Sequence, residues 1–417
     1  MIEALPFLRQ ARDTYASANA ATLGWMLGRK SETGGFLDTK LNSLTLADYT
    51  ESDGMRGPRY VYGWIQGRGL EALTTHGRFF ARENHALSGR LDAAAVALYR
   101  ALGKLIERDG HAWFTYDTQH GLAPVYPDKS STARPQRTRT EIVTYSDLFV
   151  MKGLIDAAAR FATADLPGHL ERFAKIVEAI EQNRFQMDER RELGESALAD
   201  EPADFGPRMI LLGAAGMLKR AGLPEHCGWV DRFITQVLDN HFDPKSGLLL
   251  NVRGEDACNV GHGIEFVGFV LDWLPTSADP HLLFQLEQIL LSSFSKGFKG
   301  PGIALSISAA SGEALSPYQP WWSLGETIRA AALIYERTRN PDVLRVWQEA
   351  HRTFFENYWR GEPPIAYQTM TADGPVDFVP ATPDLDPGYH TGLSLLAAIE
   401  VADRLLDGAL QDINKAR

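Results

Sequence analysis

The residues of this chain with the clearest chemical potential are His262 and Glu265, three positions apart in the stretch 261–265 (Gly-His-Gly-Ile-Glu). An irregular, glycine-bearing segment ends there, and the apolar helical pattern of 264–274 begins. A histidine at a helix start experiences the positive end of the helix dipole, which favours the neutral imidazole and therefore a usable base. Residues i and i+3 share one face of a helix, so Glu265 can reach the ring or a group that the ring contacts. A helix cap is the alternative role for this histidine.

Helical periodicity dominates the elements that must position these residues. Apolar side chains recur at three-to-four spacing in twelve segments, whereas strand patterns are scarce. The spacing predicts helices over 5–29, 63–86, 90–108, 144–163, 168–189, 205–220, 224–240, 261–274, 281–296, 321–338, 341–359 and 389–407.

The links between these predicted helices alternate in length. Links after even-numbered helices are short, such as 87–89 and 339–340, whereas links after odd-numbered helices are long, such as 30–62 and 109–143. Short links join antiparallel helices, and long links without regular structure are usually functional. Six helical hairpins with all long loops at one end predict an all-α fold, the (α/α)6 barrel. Its mouth would lie at the N-terminal ends of the inner, even-numbered helices.

Two other architectures, an open helical solenoid and a chain of several domains, fit the sequence less well. An open helical solenoid would need a strict sequence repeat, and the chain has none. Several domains would need to be joined by linkers, but no segment rich in Pro, Gly or Ser interrupts the chain. We therefore expect residues 1–417 to form a single barrel domain.

Composition indicates an ordinary globular protein, and its net charge excludes some classes of partner. The net charge of -11 argues against a nucleic acid or an anionic membrane as partner, because either requires a basic surface. Two cysteines are too few for a disulfide framework or a thiolate metal site. Neither a secretory signal nor an apolar run of membrane-spanning length is visible, so we expect a cytoplasmic location. A homodimer is compatible with the sequence.

Aromatic and polar side chains gather at the starts of the inner helices, where the mouth is expected. Such a set suits a polyhydroxylated ligand, since rings lie against C–H faces while charged and amide groups pair with hydroxyls. The candidates are Tyr62, Gln66, Arg68, Tyr145, Asp147, Arg208, His262, Glu265, Trp321, Trp322, Glu326, Tyr389 and His390.

Each of these residues could instead have a purely structural role. Arg68 could form a bridge with Glu71, and the tryptophans at 321–322 could seal the barrel end. Tyr145 and Asp147 could cap their helix. The sequence has no His-Glu-x-x-His pair, no cysteine cluster and no phosphate-binding loop, so we expect neither a metal nor a cofactor.

Six segments in this order resemble the N-acylglucosamine 2-epimerase superfamily, which includes cellobiose 2-epimerases and metal-independent mannose isomerases. The resemblance covers nearly the whole chain. Its specific parts are W-x-Q-G-R at 64–68 and G-H-x-x-E at 261–265; the supporting parts are 145–149, 207–212, Trp321-Trp322 with Glu326, and Tyr389-His390.

The resemblance implies an (α/α)6 barrel and assigns roles to four residues. It implies that His262 and His390 are the acid/base pair, that Arg68 lies near the sugar oxygens, and that Glu265 supports His262. The chain departs from the family at the start of the sixth predicted helix. Some branches have a third histidine there, whereas this chain has Arg208. The segment before His390 is also acidic and proline-rich, which leaves the substrate open.

The implied chemistry is proton transfer at C2 of an open-chain aldose through an enediolate. Histidine suits this task because its pKa lies near working pH, and a guanidinium can stabilise the developing oxyanion. Return of the proton to the opposite face gives the 2-epimer, whereas return to C1 gives the ketose. A glycoside hydrolase using Glu265 and Glu326, and a non-catalytic carbohydrate-binding protein, are the alternatives from other classes.

Overall fold

The computed structural model describes residues 4–29, 31, 33–137, 141–380 and 384–416, with side chains up to residue 411. The chain divides into two compact units. The N-terminal unit comprises Leu23–Asp231 and Pro380–Tyr389, and the C-terminal unit comprises Met1–Thr22, Arg232–Val379 and His390–Arg417. The single domain expected over 1–417 stays a prediction.

Helices account for most of the described chain, as the periodicity predicts. Short 3-10 turns span Glu51–Arg56, Thr118–His120 and Pro224–Cys227, and π-helical turns span Phe354–Tyr358 and Tyr389–Leu393. The α-helices are α1 (Leu5–Met26), α2 (Gly63–Glu83), α3 (His85–Asp109), α4 (Tyr145–Phe161), α5 (Leu166–Glu181), α6 (Glu195–Leu198), α7 (Gly206–Arg220), α8 (Val230–His241), α9 (Val260–Trp273), α10 (Pro280–Gly297), α11 (Trp322–Thr338), α12 (Pro341–Thr353) and α13 (Ser394–Ala416).

Several predicted helix boundaries differ from the observed ones, and two of the differences have a clear local cause. The link expected at 87–89 lies inside α3, because Asn84 separates α2 from α3 and its side chain accepts a hydrogen bond from the N–H of Leu87. The helix predicted over 168–189 ends at Glu181, because Asn183 adopts a left-handed φ of 54° and the chain then enters a strand.

Short strands accompany the entries to several helices. Runs of two to five residues carry no period-two signal, which explains why the sequence pattern did not predict them. Strand β1 pairs with β2, β2 with β3 and β3 with β4; β5 pairs with β6, β7 with β8, β9 with β10, β11 with β12 and β12 with β13, only β5 and β6 being parallel. The strands are β1 (Tyr60–Tyr62), β2 (Thr115–Asp117), β3 (Ala123–Pro127), β4 (Ala133–Pro135), β5 (Val143–Thr144), β6 (Phe185–Gln186), β7 (Phe242–Asp243), β8 (Leu248–Leu249), β9 (Ala257–Cys258), β10 (Ile307–Ser308), β11 (Gln319–Pro320), β12 (Thr369–Thr371) and β13 (Gly374–Pro375).

Inner and outer helices differ in burial within each unit. In the N-terminal unit α2 packs against α3 and α4, and α4 packs against α5 and α7. In the C-terminal unit α11 packs against α9, α12 and α13. Every residue from Ser323 to Tyr335 of α11 is buried, whereas α12 buries only one stripe that includes Val343, Val346 and Trp347. A helix buried on all sides belongs to the inner layer, and an amphipathic one covers it.

Helix starts in both units have side-chain caps that fix where the inner helices begin. Thr144 and Asp147 form a capping box at the start of α4, and the Asn259 side chain accepts a hydrogen bond from the N–H of His262 in α9. Among the described residues, no helix combines the length and the apolar character needed to cross a bilayer.

Candidate active site

His262 lies in the first turn of α9, and Asn251 fixes the orientation of its ring. Nδ2 of Asn251 is 3.1 Å from Nδ1 of His262, while Oδ1 of the same amide accepts a hydrogen bond from the N–H of Asn259 at 2.7 Å. Because a backbone N–H can only donate, it decides which end of the amide faces the imidazole. Nδ1 of a neutral His262 is therefore an acceptor, and this network assigns the ring proton to Nε2.

His390, in the same unit, has the opposite arrangement. Its Nδ1 lies 3.1 Å from Oε1 of Glu326 and 3.9 Å from Oε1 of Glu265. A carboxylate can only accept, so Nδ1 of His390 carries the proton and a neutral ring has its lone pair on Nε2. The structure thus places Glu265 beside His390, and its support of His262 stays a prediction.

Glu326 is kept ionised by its neighbours although it is fully buried on α11. Its Oε2 lies 3.1 Å from Nη1 of Arg329, one helical turn further along. Burial acts to raise the pKa of Glu326, but Arg329 and His390 outweigh burial, so this pKa is lowered. The carboxylate is consequently suited to stabilising a positive charge on His390.

The indole of Trp322 lies against both imidazoles. Its ring centroid is 5.5 Å from that of His262, nearly parallel at 27°, and 5.8 Å from that of His390. Trp321 meets His390 edge-on at 6.4 Å. A Cβ at Gly261 would lie 2.6 Å from Cη2 of Trp322, so the glycine before His262 permits this packing. An aromatic face beside two imidazoles suits the C–H face of a sugar.

Glu265, Glu326 and His390 also form the group of side chains in the described structure that could hold a metal ion. One donor atom from each lies within 4.8 Å of the others, and all three residues are buried. The guanidinium of Arg329 lies against the same cluster through Glu326. A fixed positive charge there opposes a divalent cation, but the absence of a metal expected from the sequence stays a prediction.

Arg68 lies on α2 in the N-terminal unit, surrounded by aromatic faces. Its guanidinium carbon is 4.1 Å from the ring centroid of Phe149, 4.7 Å from that of Trp64 and 5.2 Å from that of Tyr389. A Cβ at Gly67 would lie 2.5 Å from the backbone nitrogen of Val150, so this glycine lets α2 and α4 approach closely. The three rings confine the guanidinium group, whose N–H donors suit directional bonding to oxygen atoms.

Tyr62 and Gln66 hold the surrounding chain in place. The hydroxyl of Tyr62 donates to the carbonyl of Met55 at 3.2 Å. The amide of Gln66 accepts from the N–H of Leu37 at 2.8 Å and donates to its carbonyl at 3.0 Å. These bonds attach the segment around Leu37 to α2. Contact of either side chain with a substrate stays a prediction.

Asp147 caps its helix, which is one of the two roles considered from the sequence. It accepts hydrogen bonds from the N–H groups of Thr144 at 2.9 Å and Ala112 at 2.8 Å, and it lies 3.0 Å from Nδ1 of His111. Its carboxylate oxygens are therefore occupied by structural partners, and a substrate contact of Asp147 stays a prediction.

Tyr145 has a partner that the sequence did not indicate. Its hydroxyl donates to Oε2 of Glu189 at 2.5 Å. Burial, followed by the charge of Glu189, raises the pKa of Tyr145. Burial also raises the pKa of Glu189 to about 7, because the bond from Tyr145 and the charge of Arg190 offset it only in part. Glu189 is thus a titratable carboxyl beside a predicted sugar-binding residue.

Tyr389 and Arg208 are the remaining predicted site residues. The hydroxyl of Tyr389 accepts a hydrogen bond from Nζ of Lys152 at 2.6 Å, and its N–H donates to Asp386 at 2.8 Å. Arg208 follows Pro207 in the first turn of α7 and donates to Oδ1 of Asn183 at 3.3 Å. Tyr389 therefore shares a cluster with Arg68, whereas Arg208 contacts the turn after α5.

Eight of the predicted residues thus fall into two clusters, one in each unit. In the C-terminal unit they are His262, Glu265, Trp321, Trp322, Glu326 and His390. In the N-terminal unit Arg68 lies with Tyr389. Sequence reasoning missed Asn251 and Glu189, which lie on irregular segments, and also Arg329 and Lys152. The last two had usable signals: Arg329 is three residues after Glu326, and Lys152 is a cation in the middle of a largely apolar inner helix.

The helical pairs and the buried polar clusters define an all-α protein with a polar site. Comparison with solved structures specifies the fold. A cellobiose 2-epimerase from Spirochaeta thermophila DSM 6192 superposes with a TM-score of 0.70 at 15% identity, over 96% of this chain and 98% of that chain. A cellobiose 2-epimerase from Bacillus thermoamylovorans B4167 gives 0.68 at 16% identity, over 96% and 100%.

A D-mannose isomerase superposes with a TM-score of 0.68 at 13% identity, over 96% of this chain and 97% of that chain. The three likenesses cover nearly the whole of each chain, and they confirm the (α/α)6-barrel fold predicted from the loop lengths. Neither a family model nor a curated protein matches the chain by sequence.

Proposed function

We propose that this chain is a sugar 2-epimerase or aldose–ketose isomerase that transfers a proton at C2 of an open-chain aldose. The observation that carries the proposal is the pair of imidazoles, His262 and His390, in opposite tautomers against the indole of Trp322. One ring has a lone pair on Nε2 and the other a proton there, so one can accept a proton while the other donates one. The shared fold with two cellobiose 2-epimerases and a mannose isomerase supports the same class.

In the proposed reaction His390 is the base. The C1 carbonyl acidifies the C2 proton, and Nε2 of His390 takes this proton to leave an enediolate. Glu326 stabilises the imidazolium that forms, as a buried carboxylate does for a catalytic histidine. By the resemblance, Arg68 stabilises the oxyanion of the enediolate. We propose that the reaction uses neither a metal nor a cofactor.

His262 decides the product in this scheme. If its Nε2 proton is delivered to C2 from the opposite face, the product is the 2-epimer, which is our leading proposal. The ring of His262 then regains a proton from solvent, and the imidazolium of His390 releases one, before the next turnover. If His390 returns its proton to C1 instead, the product is the ketose, and His262 then moves a proton between the sugar oxygens. Both outcomes use the same two imidazoles, so identification of the product, epimer or ketose, decides between them.

The state of Glu326 does not fit the acid of a glycoside hydrolase. A hydrolase needs one carboxylic acid with a raised pKa to protonate the leaving group. The pKa of Glu326 is lowered, and both of its oxygens face cationic or N–H partners, Arg329 and His390. A carbohydrate-binding protein without activity would bind sugar but exchange no proton.

Proton NMR in deuterated water tests the proposal directly. The protein is incubated with mannose, glucose, N-acetylmannosamine, N-acetylglucosamine, lyxose and cellobiose. We expect loss of the C2 proton signal for at least one sugar, together with a new epimer or ketose. A protein that binds a sugar while its C2 signal persists would be a binding protein.

His262→Ala and His390→Ala are the decisive variants, with His281→Ala on the exposed face of α10 as the matched control. We expect His390→Ala to lose C2 exchange by about 100-fold or more, and His262→Ala to lose product formation to a similar extent while exchange by His390 persists, with both melting temperatures within a few degrees of the wild type. The control keeps the wild-type rate. Retained C2 exchange in both site variants contradicts the proposed chemistry.

A further inference from the structure

A lysine is buried in the N-terminal unit where no acid/base step of the proposed function uses it. Lys152 lies on α4 with no solvent exposure. Its Nζ donates to the hydroxyl of Tyr389 at 2.6 Å and lies 3.2 Å from Oε2 of Glu71. The ammonium group is also 5.3 Å from the ring centroid of Phe149.

Stability alone does not account for this ammonium group. Removing a charge from water is costly, and a buried ion pair contributes little or nothing compared with apolar side chains of the same size. Burial raises the pKa of Glu71 and the charge of Lys152 offsets this only in part, which indicates incomplete compensation of the pair. An apolar residue at 152 would fill the same space without this cost.

Lys152 can influence Arg68, the proposed oxyanion-stabilising residue, through the aromatic rings that surround the guanidinium group. Lys152 fixes the hydroxyl of Tyr389, whose ring meets Phe149 edge-on at 5.6 Å and 82°. These two rings are two of the three aromatic faces around the guanidinium of Arg68. A shift of the Tyr389 ring therefore changes the space in which the guanidinium lies.

We propose that Lys152 is a positioning residue of the sugar site, which holds Tyr389, and through it the plane of Arg68, in the geometry for stabilising the enediolate. Glu71 holds the ammonium group from the side of α2. This inference rests on the proposed function. It adds a residue that acts through Tyr389 and touches no substrate.

The test measures kcat and KM from C2 exchange, together with the melting temperature, for Lys152→Met, Tyr389→Phe and the double variant. A misplaced group of about 1 Å costs on the order of 100-fold in rate, so we expect Lys152→Met to lower kcat by about 10- to 100-fold. Because both residues act through one contact, the double variant should be no slower than the slower single variant. Lys175→Met, which removes an exposed lysine paired with Glu171, is the matched control and keeps the wild-type kcat.

Tyr389→Phe removes a single oxygen atom, so it tests the same contact if Lys152→Met does not fold. Unchanged kcat in Tyr389→Phe, or losses that multiply in the double variant, overturns the inference. If the wild-type protein exchanges C2 and Lys152→Met equals it, the inference fails while the proposed function stands. If the wild-type protein exchanges no sugar, the proposed function fails and the inference fails with it.

Discussion

Nδ1 of His390 lies 3.1 Å from Oε1 of Glu326, whose second oxygen lies 3.1 Å from Nη1 of Arg329. Arg329 is a cation and a protonated Nδ1 donates, so the carboxylate pairs favourably with both only while it is ionised. The tautomer of His390 thus depends on Glu326, 64 positions earlier in the chain. It depends on the negative charge of this side chain as well as on its position.

Glu326→Gln is expected to remove the base without unfolding the protein. Arg329 can only donate, so it will take the amide oxygen and turn the NH2 group towards His390. Nδ1 must then accept, which moves the ring proton to Nε2. We expect kcat for C2 exchange to fall by about 100-fold or more, since the wrong tautomer cannot accept a proton. Glu356→Gln, at an exposed position, is the control, and wild-type exchange in Glu326→Gln contradicts the tautomer assignment.

Asn251→Asp is expected to separate exchange from product formation. Aspartate keeps an acceptor for the N–H of Asn259, but it presents an oxygen instead of an NH2 group to His262. The ring then donates from Nδ1 and loses its proton at Nε2. We expect exchange by His390 to persist, while epimer formation falls about 10-fold because the second proton donor is lost.

The measurement for Asn251→Asp is the ratio of C2 deuteration to product, read from the same NMR time course. Asn240→Asp, on the surface of α8, is the control. A parallel fall of both quantities would contradict the assignment of separate roles to the two histidines.

The fold was more predictable from sequence than the site, for a physical reason. Helix periodicity and link length are local properties, so the twelve predicted helices have counterparts, and the barrel was anticipated. The errors in helix ends have local causes too. The side-chain cap at Asn84 and the left-handed turn at Asn183 end two helices that the apolar pattern predicts to be longer.

The partners of the site residues depend on contacts between distant segments, which spacing does not reveal. The three-residue spacing placed Glu265 near His262 or a group that His262 contacts, but it did not reveal that Glu265 lies 3.9 Å from His390. Asn251 reaches His262 from an irregular segment eleven residues earlier. By contrast, Gly261 was correctly placed at a helix start, and its need for a small side chain became clear only from the packing of Trp322.

Metal removal is expected to leave the reaction unchanged. Although Glu265, Glu326 and His390 could together hold an ion, the guanidinium of Arg329 lies 3.1 Å from Glu326 and already neutralises its charge. We expect C2 exchange within about twofold of the untreated rate after chelation with EDTA, because a cation would meet this guanidinium at close range. Loss of activity that one added divalent cation restores would overturn this expectation.

Glu189 is expected to make stability fall as the pH rises through neutrality. Burial raises its pKa from 4.5 to about 7 in the folded chain. Between these two values the folded chain holds a proton that the unfolded chain releases, so the free energy of unfolding decreases as the pH increases. Asp188 and Asp384 act in the same direction as burial, whereas Arg190 and the bond from Tyr145 oppose it.

Glu189→Gln tests this dependence, because glutamine keeps an acceptor for the hydroxyl of Tyr145 but cannot ionise. We expect the variant and the wild type to melt at similar temperatures at pH 5, where the folded wild type is protonated. At pH 8 the variant should melt higher, because only the wild type must bury a carboxylate. Glu195→Gln, a nearby exposed carboxyl on α6, serves as the control. A melting difference that is the same at both pH values would show that the carboxyl of Glu189 is ionised throughout, and that its bond to Tyr145 outweighs burial.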